Sequence, residues 1–417
     1  MAAFDALRGW TSTQKHVVAA AYLGWTLDAF DFLLLTLVAK DVAHEFGRGA
    51  LGIGIVLTAT LALRPLGAFI FGRLADRYGR RPILMLDVLL YSVMAAASAL
   101  APTWTVFVIL RCLFGIAMGG EWGIGASLTM EHVRPESRGA VSGLLQTGYP
   151  TGSLIAAGVT ALFLPALGWR GLMLMSLLPA LLVLYIRRNV PESPAWHGAK
   201  MQKDNTLEIA RKYWPRALFA ILLMIGFNSL SHGTQDFYPN FLRIQHALDS
   251  RTASTIVAIG SLGAIFGGLV FGMLSQHIGR GRAIAIAALL VLPAIPFWVF
   301  YAREPLTLAL SVFVLQFMVQ GAWGVVPAHL NELSPAGARG TFPGFVYQLG
   351  NLGASGIGVL QGALVEKLHW SYGQTLALVA AAAAIVIGGL VSLGPEAHGI
   401  DMRGGGELKD PVSEPSP

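Results

Sequence analysis

The chain has 417 residues, 54% of them hydrophobic and 12% charged, with a mean hydropathy of +0.61; a soluble domain carries roughly 25% charged residues, so a water-soluble globule is excluded. At roughly 20 apolar residues per crossing, the length allows about a dozen membrane-spanning helices. The single cysteine, Cys112, lies in an apolar run and excludes a disulfide framework or a thiolate metal site, and the net charge of +6 is accounted for by basic loops facing anionic lipid, with no nucleic acid required.

Apolar runs set off by charged residues predict twelve spans, at about 16–39, 50–71, 82–101, 104–129, 139–163, 169–187, 216–239, 252–275, 282–301, 306–329, 341–364 and 371–393. The first run is longer than the apolar core of a signal peptide and is expected to be retained. On span 1, Asp28 and Asp31 are three residues apart and share a helix face. Two like charges in low dielectric do not both stay ionised, so one is expected to hold a proton, as a coupling site requires; a static partnership with Arg64 or Arg111 is the alternative. Arg64-Pro65 in span 2 puts a charge beside a helix kink and is expected to pair structurally with an acid. On span 4, Gly115, Gly119 and Gly123 form a flat packing stripe. Arg111 on the same span offers a permanent planar fork, and is the expected contact for an anionic substrate; Glu121 is expected as a proton site or a fixed partner. Pro150 in span 5 and Pro343 in span 11, both among glycines, are expected bending points.

Residues 1–188 then read as one six-helix half, 189–215 as a polar linker, 216–393 as a second half, and 394–417 as a disordered tail. Span 7 contains Asn228-Ser-Leu-Ser231-His232-Gly-Thr234-Gln235-Asp236-Phe-Tyr-Pro-Asn240, in which Asn228, His232, Gln235 and Asp236 form one polar stripe. Such a stripe is not tolerated against lipid, so it must face a cavity. His232 and Asp236, one turn apart, can exchange a proton as an imidazole–carboxylate pair. On span 11, Tyr347, Gln348 and Asn351 supply neutral groups for a carboxylate or hydroxyl, or for bonds between helices.

The two halves repeat each other. Gly72-Arg73-Leu74-Ala75 with Tyr78-Gly79-Arg80 returns as Gly272-Met273-Leu274-Ser275 with Ile278-Gly279-Arg280, and Trp122-Gly123, Glu131 and Arg138-Gly139 return as Trp323-Gly324, Glu332 and Arg339-Gly340. Parallel six-helix repeats are the internal symmetry of rocking secondary transporters. On the side holding both termini lie 20 of the 29 Lys and Arg residues, against 7 on the other, so both termini are expected in the cytoplasm.

The run Gly72-Arg-Leu-Ala-Asp76-Arg77-Tyr-Gly-Arg80-Arg81 resembles the cytoplasmic loop signature of the major facilitator superfamily, and Pro191-Glu192-Ser193-Pro194 resembles another of its recurring pieces. Gly72, Asp76, Arg77 and Arg80 are therefore expected at a gate, where Asp76 accepts hydrogen bonds from helix ends and guanidinium groups of the opposite half. The span 7 string is similar to the signature of the lactate permeases, grouped with the sialate:proton symporters, with Asn240 in place of the expected threonine. The Gln348/Asn351 pair resembles substrate-contacting residues of the same permeases. The resemblance implies an all-α membrane protein that carries small carboxylates with protons across a bacterial cytoplasmic membrane. Lactate or pyruvate is the first substrate, and a larger anion such as sialic acid or an aromatic acid the alternative. Arg111, Asn228, His232, Gln235, Tyr347, Gln348 and Asn351 would meet substrate, and Asp28, Asp31, Glu121, His232 and Asp236 would carry protons. A monomer with no cofactor, no metal and no enzymatic activity is expected.

Overall fold

The computed structural model describes residues 9–199 and 206–402. Helix α1 (Ser12–Leu37) begins four residues before its apolar run because Thr11 caps it: the Thr11 hydroxyl accepts from the Gln14 N–H, and the Gln14 side chain accepts from the Thr11 N–H at 3.0 Å. Helices α2 (Ala50–Tyr78) and α3 (Arg80–Ser98) meet at Gly79, whose φ of +111° suits glycine. After α4 (Trp104–His132) the fifth crossing is broken into α5 (Arg138–Gln146) and α6 (Gly148–Leu174). The break at Thr147 lies just ahead of Pro150, which has no N–H to bond back to Gln146. Helix α6 turns over at Gly168 (φ +63°) into the sixth crossing, completed by α7 (Leu181–Asn189).

The second half comprises α8 (Thr206–Gln235), α9 (Ser250–Ile278), α10 (Arg280–Leu289), α11 (Pro305–Trp323), α12 (Val326–Leu333), α13 (Phe342–Ala354), α14 (Ile357–Leu368) and α15 (Tyr372–Leu393). Ten described stretches are long and apolar enough to cross a membrane. One of them, Pro135–Asn189, holds two crossings folded at Gly168, and the α13/α14 pair, interrupted at Ser355 and Gly356, forms another. The twelve expected crossings are therefore present.

Three boundaries differ from the sequence reading. Helix α8 starts ten residues before the expected 216, because Ile209 and Tyr213 turn toward the protein and give this charged stretch a packed face. Pro343 opens α13 rather than bending it, in the first turn where a missing N–H costs nothing. Residues 394–402, expected to be part of a disordered tail, are packed. Glu396 accepts from the N–H groups of Arg280 and Gly281 at 3.2 and 2.8 Å, capping α10, and Met402 is buried. The rest of the tail, 403–417, lies outside the described residues, as do linker residues 200–205.

The repeat is rebuilt as a matched pair of buried networks. Arg80 lies 3.2 Å from Glu131, and Glu192 accepts from the Arg80 N–H at 2.9 Å; Arg280 lies 2.9 Å from Glu332, with Glu396 in the place of Glu192. Each carboxylate thus fills the open N-terminus of a helix, where free N–H groups and the dipole favour an anion. This explains the Pro191–Pro194 motif: Glu192 fastens the segment after the sixth crossing to the start of the third.

At the end of the bundle away from the termini, Glu45 holds Arg170 at 2.6 Å and accepts from Trp169. The guanidinium holds the Glu45 carboxyl below the usual range, so its stabilising share is present near neutral pH and is lost as pH falls through that lowered value. Both partners are over a third exposed. Glu45→Gln should therefore lower stability by at most about 1 kcal/mol, with the difference from wild type disappearing in acid and shrinking in salt, as read from melting temperatures across pH.

Candidate functional site

Between the halves lies a cavity of about 350 Å3. From the second half it is lined by Asn228, Ser231, His232 and Gln235 of α8, Asp236 just past its end, Gln320 and Trp323 of α11, and Tyr347 and Asn351 of α13; from the first, by Trp25, Leu61, Arg64, Gln146 and Tyr149 among others. The stripe on α8 faces the cavity because one helix face was left without apolar residues. His232 Nδ1 is 3.1 Å from Asp236 Oδ2, and the pair is more than a third exposed. Asn228 is anchored through its Nδ2, which donates to the Met224 carbonyl at 2.8 Å.

Aromatic residues close the floor. Trp122 stacks on Tyr347 with centroids 4.5 Å apart, and Trp25 and Trp323 meet Tyr347 edge-on at 6.3 and 5.8 Å. Trp122 and Trp323 are repeat-related, and each indole N–H is held from within its own half: Trp122 donates to Gln146 at 3.4 Å, and Trp323 to Ser231 at 2.6 Å. The repeat pointed to this pair in the sequence, but only packing shows that they form a floor.

Arg64, read from sequence as a structural partner, lines the cavity. It lies over the Phe32 ring at 4.9 Å and within Coulombic reach of Asp28. Among the described lining residues it is the one permanent cation. Arg111, the expected anion contact, does not reach the cavity: it is fully buried inside the first half, 3.8 Å over the Phe114 ring and facing Asp31 electrostatically. The reason is rotational: Gly115 and Gly119 of α4 pack on α2, where a Cβ at Gly115 would meet the Thr60 carbonyl at 2.3 Å, and Arg111, one turn before Gly115 on the same face, is carried into the first half, whereas Gly123, further along, meets Gly344 across the seam. Asp28, Asp31 and Glu121 are likewise buried off the cavity wall, in a group with Asp87 and Tyr91. Gln348 is buried and does not line the cavity.

Below the floor, toward the termini, the halves are sealed. Asp76 Oδ1 accepts from the Gly340 N–H at 2.7 Å, and Oδ2 accepts from the Thr341 N–H at 3.1 Å and its hydroxyl at 2.6 Å. The donors of the opposite half are thus a helix end and a hydroxyl; the guanidinium facing Asp76 is its own half's Arg80, at 3.2 Å. Gly72 allows this contact, because a Cβ there would lie 2.6 Å from Thr341 Cα. Arg77 points outward onto Tyr78 and does not join the latch. The repeat supplies the mirror contact, with Gln276 Oε1 accepting from the Gly139 N–H at 3.0 Å. Arg138 and Glu332 add an ion pair across the seam at 3.5 Å. Among the described residues, no hydrogen bond or ion pair joins the halves above the cavity, toward the other end. The arrangement is a polar, single-cation cavity closed at one end, beside a separate buried acid cluster.

A sequence model of the Major Facilitator Superfamily matches residues 17–245 and 237–407. The chain is 27% identical over 368 residues to the sialic acid transporter NanX of Escherichia coli, covering 88% of this chain and 90% of that one. It is 25% identical over 354 residues to the cis,cis-muconate transport protein of Acinetobacter baylyi, covering 82% and 86%. Its fold is similar to that of the proton:xylose symporter XylE, with a TM-score of 0.76 at 19% identity, covering 94% of this chain and 98% of that one.

Proposed function

Because this chain belongs to the Major Facilitator Superfamily, and is a membrane transporter rather than an enzyme, we propose that it carries organic acids together with protons by alternating access. The observation that bears most weight is Arg64, the one permanent cation among the described lining residues of a polar cavity whose one carboxylate, Asp236, is paired with His232: a guanidinium fork is matched by a carboxylate. Substrate enters from the end away from the termini, its carboxylate meets Arg64, and Asn351 and Asn228 orient the remainder. His232 with Asp236 at the cavity rim takes up a proton, and Asp28 beside Arg64 is the second candidate, with Asp31 and Glu121 behind it. Charges neutralised in this way no longer oppose closure around the ligand, so substrate and proton favour the same state and are thermodynamically coupled. The sealed end, which holds the basic loops and both ends of the described chain, faces the cytoplasm.

Cavity volume favours the larger acid over lactate. A three-carbon acid has six non-hydrogen atoms and occupies at most about 180 Å3, even at the roughly 30 Å3 a whole water takes up, about half the space available. By the same measure muconate, with ten non-hydrogen atoms, takes up about 300 Å3 and comes close to filling the space, and sialic acid, with 21, would extend beyond it; these are the cargoes named for the two relatives. In proteoliposomes with an alkaline interior, labelled sialic acid or muconate should accumulate above equilibrium, lactate much less, and the accumulation should vanish when the gradient is collapsed. Uptake indifferent to the gradient would remove proton coupling; lactate as the preferred cargo would reverse the size argument.

A further inference from the structure

Beside the central cavity is a second hollow of about 150 Å3, enclosed by α6, α8, α9 and α11. Tyr149, Ser153, Gln235 and Gln320 line both, so the two are continuous. The wall of this side chamber mixes apolar groups with neutral hydrogen-bonding ones and carries no formal charge. Gln235 Nε2 donates to Gln316 Oε1 at 3.0 Å, and Gln316 Nε2 faces Thr234 Oγ1 at 3.4 Å, which fixes both amides. The Oε1 of Gln320 is buried and has no protein partner, an arrangement that is expensive at membrane depth unless a ligand or water supplies a donor. Gly260 and Ala264 leave the space open.

On the reading that Arg64 takes the carboxylate, we infer that the side chamber is a specificity subsite for the distal end of the substrate, a neutral hydrogen-bonding group such as a hydroxylated or acetamido tail. Arg64 comes from α2 and the chamber from α8, α9 and α11 across the seam, so one molecule satisfying both is elongated, acidic at one end and uncharged but polar at the other. The hollow has room for about five water-sized groups, enough for a short tail and too little for a second ring system. A shorter acid binds at Arg64 alone and leaves Gln320 unserved.

The test is binding to the purified full-length protein, read from quenching of its tryptophan fluorescence, with benzoate and 4-acetamidobenzoate as probes. Wild type should bind the acetamido acid about tenfold more tightly, as one or two added hydrogen bonds allow. Ala264→Leu, which fills the chamber, and Gln320→Leu, which removes its acceptor, should each reduce that ratio to about one. Equal binding of the two acids by wild type, or variants that keep the tenfold preference, would overturn the subsite and leave the carboxylate reading standing. Binding of neither acid to wild type would overturn both.

Residues 398–402 carry an independent inference. Met402 is buried in a cluster with Val18, Ala21, Met130 and Leu145 of the first half and Ala328 of the second. Arg138 donates to the Ile400 carbonyl, and Arg339, from the other half, to the Met402 carbonyl at 3.0 Å. The segment is bonded to both halves across the sealed end, and cannot keep both sets of contacts when that end opens. We propose that it is a built-in restraint holding the sealed state. Met402→Asp, in the otherwise full chain, should raise labelling of a cavity cysteine by an impermeant thiol reagent from the terminal side by about tenfold, the scale set by burying one such side chain. Unchanged labelling with unchanged melting temperature would overturn it, as would a rise equalled by Met402→Leu.

Discussion

Asp76→Asn is expected to unseal the closed end and shift the resting protein toward the opposite orientation. The carboxylate accepts three hydrogen bonds from Gly340 and Thr341, two of them at 2.7 Å or less. An amide has one acceptor oxygen, and turns its NH2 toward the donors it must replace. Charge-assisted bonds contribute about 1.5–3 kcal/mol each, so a loss of about 3 kcal/mol changes the equilibrium between orientations by roughly 100-fold. The fold should survive, because Arg80 keeps Glu131 at 3.2 Å and the Ala75 carbonyl at 3.1 Å. In a Cys112→Ala background with a single cysteine at Ser153 on the cavity wall, an impermeant thiol reagent should label the variant faster than its parent from the terminal side and more slowly from the other. Uptake driven by a gradient should fall, since a carrier that rests open at the wrong end meets less substrate. Unchanged labelling from both sides would show that Asp76 is no latch. Gly72→Val should act in the same direction by a different cause, forcing Thr341 away rather than weakening its bond.

That latch was legible in the sequence because its parts are contiguous: Gly72, Asp76 and Arg80 lie at helical spacing in one repeated run. The same holds for the α8 stripe, where Asn228, His232, Gln235 and Asp236 are polar on a face that lipid would reject, and all four line the cavity. Arg64 and Arg111 show what one-dimensional reading lacks. Each is a lone guanidinium in an apolar run, and nothing local says which faces the seam; the answer depends on how α4 is rotated against α2 by glycines whose contacts lie on another helix. Asp28 and Asp31 do share a buried face, but the pattern could not say that this face looks into the first half rather than the cavity. The start of α8 and the strap at 398–402 were missed for one reason: hydropathy averages over all sides of a segment, whereas Ile209, Tyr213 and Met402 bury a few apolar groups from otherwise polar stretches.

The rotation of α4 against α2 also sets the most demanding expectation, that Arg64→Ala removes acid transport while Arg111→Ala removes folded protein. A buried charge that loses its partner costs about 2–5 kcal/mol in binding, which raises KM for an acid substrate by about 30-fold at the least. Arg64→Lys keeps the charge but not the planar fork, so its defect should be smaller, about tenfold. The sign of the charge can be isolated with a neutral analogue. If Arg64 reads the carboxylate, the primary amide of a transported acid is a poor competitor against wild type, and the acid should be no better than its amide against Arg64→Ala; the loss of that difference is the coupling between the two groups. Arg111 has no such route to the ligand. Its removal leaves Asp31 buried beside no cation, so the effect should be a lowered yield and melting temperature, with KM kept by whatever protein folds. An Arg64→Ala protein that still prefers acid over amide, or an Arg111→Lys protein that is stable yet loses that preference, would return the anion site to α4 and require the two helices to be rotated differently in the substrate-bound state.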